Sequence, residues 1–551
     1  MKKWKPLAVV AALVVFVLYA LVNSMNLNPL YPESAFAYCV LVSALVLIFT
    51  LDRMGKLVVL NNSRQPSVTF VKKANAKRWP VALLGILWSG YFMVLVGSSV
   101  LFHVNAFRDQ MPELTEMDFA TDFDTVNISQ LPIVDKSMAQ KLADKKLGEK
   151  PSLGSQVVLG EPTLQQVNGQ LLWAVPTYHS GLFKWLTNLQ GTPGYITVSA
   201  TNPQDVQYVD GYKIKYQPGA YLWQDLNFWA RFTAAPFTGI TDPSFELDDN
   251  GTPYWVITTY KNTRGFSLPE ATGAVVMDCA TGKSNVYTIE NLPEWVDRVQ
   301  PEDFIMTQLN NKGEYVHGYL NFSDKDKFRT SEGETIIYND GNCYLFTGLT
   351  SVGGDQSAIG FVMVDMVTKE PHMYRISGAT ETAAQRSAEG EVQQFGYTAA
   401  FPLIINLNSE PTYFITLKDE EGLIKQYAYV SVQDYQTVGV GETISEARLK
   451  YEKALRLSTG GQSVGNTNGE METITGTVAR IGSEYSSAGT VYYLVLNEHS
   501  DMLFSIQGSL SDELALTKEG DKVKLEYYPR ESTTQEAGTF DNLEFTQSVQ
   551  G

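Results

Sequence analysis

The sequence predicts an α+β protein with three N-terminal transmembrane helices, repeated modules of one helix on a small antiparallel sheet, and a small terminal β-barrel. Three observations carry that expectation. Three apolar runs without a charge fall within the first 102 residues. The stretch GAVVMDCATGKSNVYTIE (Gly273–Glu290) aligns without a gap on GFVMVDMVTKEPHMYRIS (Gly360–Ser377), the sign of a repeated strand pair. A Gly/Ser/Asn-rich stretch at 457–471 then sets off a last segment of short β-branched and aromatic runs. The expected division is a membrane domain over 1–103, a repeat body over 104–456, a flexible linker over 457–471 and a barrel over 472–551.

The apolar runs are Leu7–Val22, Ala35–Leu51 and Val81–Phe102. Each is long enough, or nearly so, to cross about 30 Å of hydrocarbon. A cleaved signal peptide fits the first run less well, because no small-x-small site follows it and a second run comes almost at once. The loop between the first two runs has no Lys or Arg, whereas the next loop carries Arg53, Lys56, Arg64, Lys72, Lys73, Lys77 and Arg78. The positive-inside rule therefore puts the N-terminus in the cytoplasm and residues 103–551 outside a multi-pass cell membrane. Charge follows the same division. The chain's net charge is -18, yet residues 1–102 hold ten basic and two acidic residues while the rest holds 32 basic and 58 acidic. A basic front suits anionic lipid headgroups, and an acidic body stays soluble.

The repeated pair recurs. GYITVSATNPQDVQY (Gly194–Tyr208) keeps the same Gly-to-Tyr spacing, and each copy follows an aromatic strand candidate. A fourth pair, Pro411–Tyr435, slips register, with Tyr413 and Thr416 spaced like Tyr344 and Thr347. Between the pairs lie helical patterns. Asp135–Leu147 puts Met138, Leu142 and Leu147 on one face, and Thr443–Leu455 opens with a capping box of Thr443 and Glu446. Pro293 suits a first helical turn, while Pro301 breaks whatever starts there. A helix laid on one face of a small sheet buries both apolar faces.

The helix DKSMAQKLADKKL, the strand QVVLGEPTLQQVNG, the strand QLLWAVPTY and the hairpin closing through Asp278, Thr281, Gly282 and Tyr287 resemble the PepSY domain pattern. More broadly, PEWVDRV, YVHGY, GATETAAQRSAEG and PTYFITLKDEEGLIKQYAYV resemble a family of uncharacterised bacterial membrane proteins with such repeats. The resemblance covers roughly 130–456. It implies a binding module with extracytoplasmic regulatory, peptidase-inhibiting or envelope roles, and it transfers no catalytic residue.

The tail reads as strands Thr473–Ile481, Thr490–Leu496 and Met502–Gly508, a short helix Ser511–Leu516, then strands Gly520–Tyr528 and Thr539–Phe545. That order resembles an OB-fold, with an SH3-like barrel as competitor. From Glu472 onward there are five basic and thirteen acidic residues, which repels phosphate and argues against nucleic acid as a partner.

Chemistry is sparse. His103, His179, His317, His372 and His499 form no metal-ligand motif, and no Gly-x-Ser-x-Gly elbow occurs. ATGKS (Ala280–Ser284) lacks the earlier glycine of a phosphate loop, since Met277 stands there, and reads as a turn. ELDDNGT (Glu246–Thr252) lacks the alternating ligands and distal Glu of a calcium loop. Cys279 and Cys343 read first as two buried free thiols, with a bridge between them as the alternative. The aromatic segment Ala220–Phe232 is either core or an element on the outer membrane surface. No catalytic, cofactor-binding or metal-ligating residue is therefore expected, and no cofactor. The expected function is a non-enzymatic, membrane-anchored cell-envelope protein that binds a protein or envelope polymer as scaffold, inhibitor or assembly factor. Two alternatives stand beside it. One is an enzyme with an inter-module site, using Asp248, Asp249 or His317. The other is an accessory subunit of a transporter or sensor, which the absence of ionisable residues in the spans disfavours.

Overall fold

The computed structural model describes residues 4–62, 65–72, 79–123, 131–322, 324–339, 341–352, 358–407, 410–458, 472–486, 489–527 and 534–545. The expected linker at 457–471 lies almost entirely outside the described residues, as do Arg64, Lys73, Lys77 and Arg78 of the basic loop. Among the described residues three helices are long and apolar enough to cross a membrane: α1 (Trp4–Val22), α2 (Pro32–Met54) and α3 (Trp79–Gly97). Between α2 and α3 the basic loop folds as an antiparallel hairpin, Gly55–Asn62 on Gln65–Lys72.

The third apolar run is not one helix. It breaks at Ser98, and α4 (Val100–Arg108) follows as a separate element. At the break Ser98 Oγ donates to Val94 O and accepts the Phe266 N–H at 2.9 Å, which ties the end of the helix to the body.

Among the described residues the body contains four sheets, antiparallel except for one edge strand. The first runs Val157–Leu159, Gln170–His179, Thr192–Ser199, Val206–Ile214, with Thr163–Val167 also paired to Gln170–His179. The second is a meander of Gly239–Leu247, Pro253–Arg264, Ser267–Asp278 and Ser284–Thr288. The third comprises Phe328–Thr330, Thr335–Asn339, Asn342–Ser351, Ala358–Asp365 and Pro371–Tyr374, and Thr115–Met117 joins it as a parallel edge. The fourth comprises Thr398–Ala399, Leu403–Leu407, Glu410–Lys418, Ile424–Ser431 and Val438–Gly441. The architecture is α+β, and the sheets stack through shared cores. Tyr195 and Ile214 of the first sheet meet Phe245, Trp255, Val275 and Met277 of the second. Phe346, Phe361 and Met363 of the third meet Tyr413, Ile415 and Val430 of the fourth, under Ala384 and Ala388 of helix Glu381–Glu391. Met138, Ala139, Ala143 and Leu147 of helix Lys136–Gly148 join Val175, Ile196, Phe414, Tyr429 and Tyr451 in a third core. Burying such side chains supplies about 1.5–3 kcal/mol each and drives the stacking.

Local chemistry sets the element ends. Asp135 caps its helix by accepting the Met138 N–H at 2.9 Å. Thr443 Oγ1 accepts the Glu446 N–H at 3.1 Å, and the Glu446 carboxylate takes the Glu442 N–H at 2.9 Å, so the box closes one residue earlier than a strict reciprocal pair. No helix forms at Pro293; helix Glu302–Glu314 starts directly after Pro301, which supplies no N–H of its own.

The sister hairpins share one register. Ala274 faces Tyr287 and Phe361 faces Tyr374, each one residue beyond its glycine, and both carry a bulge just before that glycine. Gly273 (φ +149°) and Gly360 (φ +150°) have no room for a side chain: a Cβ would stand 1.9 Å from Tyr287 O and 2.2 Å from Tyr374 O. The hairpin at Gly194 differs by one residue: seven residues (199–205) connect its last pair, Val198 and Val206, where the sister hairpins use six, so Ile196 rather than Tyr195 faces Tyr208. Asp278 and Asp365 close their turns alike, each carboxylate accepting the N–H two and three residues on.

The C-terminal strands Glu472–Ser486, Gly489–Leu496, His499–Gln507, Thr534–Asn542 and Lys522–Tyr527 form a closed barrel in that spatial order. His499–Gln507 and Thr534–Asn542 run parallel, and the other neighbours antiparallel. Leu494, Phe504, Ile506, Val523 and Leu525 fill it. The expected helix at Ser511–Leu516 is a short 3₁₀ turn, Asp512–Leu516.

Candidate functional site: a charged cleft between modules

A cleft of about 430 Å³ opens where the first sheet, the second sheet and the start of helix Glu302–Glu314 meet. Its polar wall is drawn from distant parts of the chain: Lys136, Glu161, Asp242, Arg298, Glu302 and Asp303. Tyr178 and Phe304 supply aromatic surface. Gly160 lies directly under the Tyr178 ring, where a Cβ would meet it at 2.4 Å.

Backbone geometry aims Asp242 into this cleft. It bulges from the second sheet, since Thr241 pairs with Thr258 and Pro243 with Ile257. Its φ is +46°, a left-handed value that the following proline makes less favourable still. Bulges redirect side chains in this way. Asp242 is exposed by surface area, yet the surrounding walls withdraw enough water to raise its carboxyl above the ordinary range, with Arg298 opposing. Burial likewise raises Glu302, again against Arg298, whose Nη1 lies 3.3 Å from Glu302 Oε1. Arg298 Nε is buried without a hydrogen-bond acceptor among the described residues. Lys136 and Glu161 pair across the rim at 3.0 Å.

Behind the cleft lies a buried polar layer that joins the modules. Gln165 of the first sheet donates to Leu247 O at 2.7 Å and accepts the Leu247 N–H at 2.8 Å, extending the second sheet with a side-chain amide. Asp297 accepts the Gln166 N–H and the Tyr338 hydroxyl at 3.0 and 2.8 Å. Glu246 is 1% exposed. Its carboxyl accepts from Ser244 Oγ at 2.5 Å, and burial, reinforced by the charge of Asp297, pushes it up to about 8. It is the most strongly displaced carboxyl of the layer, because almost no water reaches it.

The residues that sequence reasoning offered for an inter-module site do not meet here. Asp248 holds its own turn, accepting the Asn250 and Thr252 N–H groups at 2.9 and 2.8 Å, and Asp249 is exposed beside it. Their carboxylates organise a strand connection, as the turn reading of ELDDNGT expects. His317 pairs with Asp326 at 2.7 Å on the exposed loop after helix Glu302–Glu314. ATGKS sits in the Asp278 turn, with Gly282 at φ +71° and its counterpart Lys369 at +67°. Cys279 and Cys343 are separate, buried thiols. Among the described residues no group of three His, Cys, Asp or Glu side chains is placed to hold a metal ion. What sequence reasoning missed is Asp242, Glu246, Arg298 and Glu302. The only signals were an Asp before a Pro and acids after Pro301, both of which read equally well as turn and cap.

The cleft's second sheet is also the body's attachment to the helices. Tyr31, between α1 and α2, donates to Tyr260 O and accepts the Gly239 N–H, both at 2.7 Å. Tyr260 packs edge-on against Tyr31 and against Phe304 of the cleft, each at 5.6 Å.

No family model matches the chain, and no curated protein is similar to it at a significant level. Among solved structures, an alpha-L-arabinanase from Cellvibrio cellulosa is 11% identical over 54% of this chain and 78% of its own, with a TM-score of 0.16. A B. megaterium levansucrase variant is 8% identical over 75% of this chain and 97% of its own, with a TM-score of 0.21. At these scores neither likeness bears on fold or activity.

Proposed function

We propose that this chain is a non-enzymatic, membrane-anchored cell-envelope protein, with its N-terminus in the cytoplasm and its body outside. In this reading the modules are PepSY-like, the barrel is OB-like, and the inter-module cleft receives a cationic segment of a protein or envelope polymer. The observation that carries it is the wall of the cleft: four carboxyls (Glu161, Asp242, Glu302, Asp303) against two cations (Lys136, Arg298). Such an imbalance attracts positive charge, and its low-dielectric walls strengthen the attraction. The barrel order, with its third and fifth strands parallel, supports the OB-like assignment.

The test is photo-crosslinking in native membranes from a probe at Asp303, with a second probe at the exposed Glu290 as background. A discrete species captured only from position 303, and lost in Asp242→Asn with Glu302→Gln, supports the reading. Equal capture from both positions, or capture unaffected by the double variant, refutes it. Protease added to spheroplasts tests the topology separately: the body is cut, and a protected C-terminus overturns the orientation.

One observation favours a second reading. Asp242 and Glu302, both raised by burial beside Arg298, are what acid–base catalysis requires. Turnover of an envelope polymer by the purified chain, abolished by Asp242→Asn with folding intact, replaces binding by hydrolysis.

A further inference from the structure

Beside the segment that holds the body to α1 stands an apolar ledge that the described residues leave uncovered. It is built from helix Leu182–Thr187 and the turn Leu222–Gln224. Trp185 locks the two together from beneath: its Nε1 donates to Gln224 Oε1 at 2.6 Å, and its ring packs on Tyr221 and Trp223 at 5.4 and 6.4 Å. Gln224 in turn donates to Leu189 O at 2.8 Å. With Trp185 and Gln224 buried, the ledge is rigid, and Phe183, Leu186, Leu222 and Trp223 are left 52–81% exposed. A contiguous apolar patch on a soluble surface is unusual and marks a contact.

The position of the ledge says what it contacts. Asp225 caps helix Leu226–Thr233 directly after the turn, and that helix carries Arg231. Arg231 Nε donates to Ser24 O at 3.2 Å, and its Nη1 donates to Ala235 O and Thr238 O. Leu27 N–H reaches Pro236 O at 2.9 Å, and Asn28 Nδ2 reaches Phe237 O at 3.0 Å. Ser24 stands two residues past the end of α1, so Arg231 and Phe237 lie at the level where the first helix leaves the hydrocarbon. The eight-residue helix that leads back to the ledge is only about 12 Å long. At the same level Leu30 and Phe237 are themselves 67% and 61% exposed. The ledge thus stands about one such helix length from the residues that meet the end of α1. Its make-up, Trp, Phe and Leu with Lys184 among them, is that of an element lying at the boundary of headgroups and acyl chains.

We propose that this ledge lies in the outer leaflet's interface, giving the body a second, lipid-mediated contact with the membrane. This deepens the anchoring reading and rests on it. The membrane-surface role considered for Ala220–Phe232 then belongs to its first residues together with a helix forty positions earlier. The remainder of that segment packs as a clamp through Leu226, Ala230 and Arg231.

The experiment places a nitroxide on the full chain in nanodiscs of mixed neutral and anionic lipid, through Phe183→Cys, Leu423→Cys or Leu13→Cys. The three native cysteines are buried. The expected result is that the probe at 183 collides more often with dissolved oxygen than with a water-soluble nickel chelate, reversing the order seen at 423. Aqueous behaviour at 183 with a lipid signature at 13 overturns the ledge and leaves the anchoring intact. Aqueous behaviour at both positions overturns the anchoring itself, and the ledge with it. If the ledge joins two copies instead, the probe at 183 is aqueous with one copy per disc and broadens by spin–spin contact with two, which also overturns the proposal.

Discussion

Replacing Glu246 by Gln isolates the cost of keeping a carboxyl in the polar layer behind the cleft. Glu246 is fully enclosed and its carboxyl titrates near 8, against 4.5 in an open chain. Below pH 4.5 both folded and unfolded chains hold the proton, and no cost arises. Between 4.5 and about 8 only the unfolded chain releases it, so stability falls with every pH unit. Above about 8 the folded carboxyl ionises too, and the loss levels off. At about 1.4 kcal/mol per pH unit, the folded state gives up about 3 kcal/mol by pH 7 and about 5 kcal/mol above pH 9. Gln keeps the shape: its carbonyl can accept the Asp297 N–H, and its amide can donate to Ser244 Oγ, which then donates to Val256 O at 3.3 Å. The assay is a thermal melt of the full chain in nanodiscs from pH 5 to 9, followed by the fluorescence of tryptophans such as Trp255 and Trp295 near the layer. The midpoint of Glu246→Gln should pull ahead of the parent by roughly 3–5 °C between pH 5 and 7 and level off toward pH 9, at roughly 1–2 °C per kcal/mol for a body of this size. A constant difference across that range refutes the reasoning, because a neutral layer would then not depend on the Glu246 proton.

Three further outcomes follow from the fold. Gly273→Ala, whose new Cβ would stand 1.9 Å from Tyr287 O, should cost about 2 kcal/mol or more in denaturant unfolding, whereas Gly390→Ala, with no atom within 4 Å, should be neutral or stabilising. Tyr31→Phe leaves the Gly239 N–H and Tyr260 O without their shared partner. It should cost about 1–3 kcal/mol and speed amide exchange around 236–240, and unchanged exchange there contradicts the attachment described. Thr443→Ala removes a helix cap and should lower stability by about 0.5–2 kcal/mol without altering the barrel, as read by two-dimensional NMR of the barrel's methyl groups.

Features decided within a few residues were legible in the sequence. The three apolar helices, the cap at Thr443, the Asp-led turns and the paired glycines of the sister hairpins depend on neighbours close along the chain, so their signatures are local. Even there the three-dimensional fold adjusted the outcome. α3 ends at a contact with the body, the Phe266 N–H on Ser98 Oγ, and the Gly194 hairpin takes a connection one residue longer that equal Gly-to-Tyr spacing could not announce. The cleft was not legible at all. Lys136, Glu161, Asp242, Arg298 and Glu302 are spread over more than 160 positions and converge only because the sheets stack. The ledge is similar: helix Leu182–Thr187 is too short to announce itself, and only its lock through Trp185 and Gln224 turns scattered apolar residues into a surface.

Glu246 and Asp248 show the division most sharply. They stand two positions apart in one acidic run, and the sequence alone offers no ground for treating them differently beyond the turn that Asp248 begins. The sequence by itself determined that turn, because Asp248 satisfies it with N–H groups two and four residues away. Only the tertiary structure decided that Glu246 is buried and holds its proton near neutral pH. The segment 293–300 packs across the face of the second sheet, placing Val296 and Val299 over Val256 and Val276, and excludes the water that would otherwise stabilise the charge.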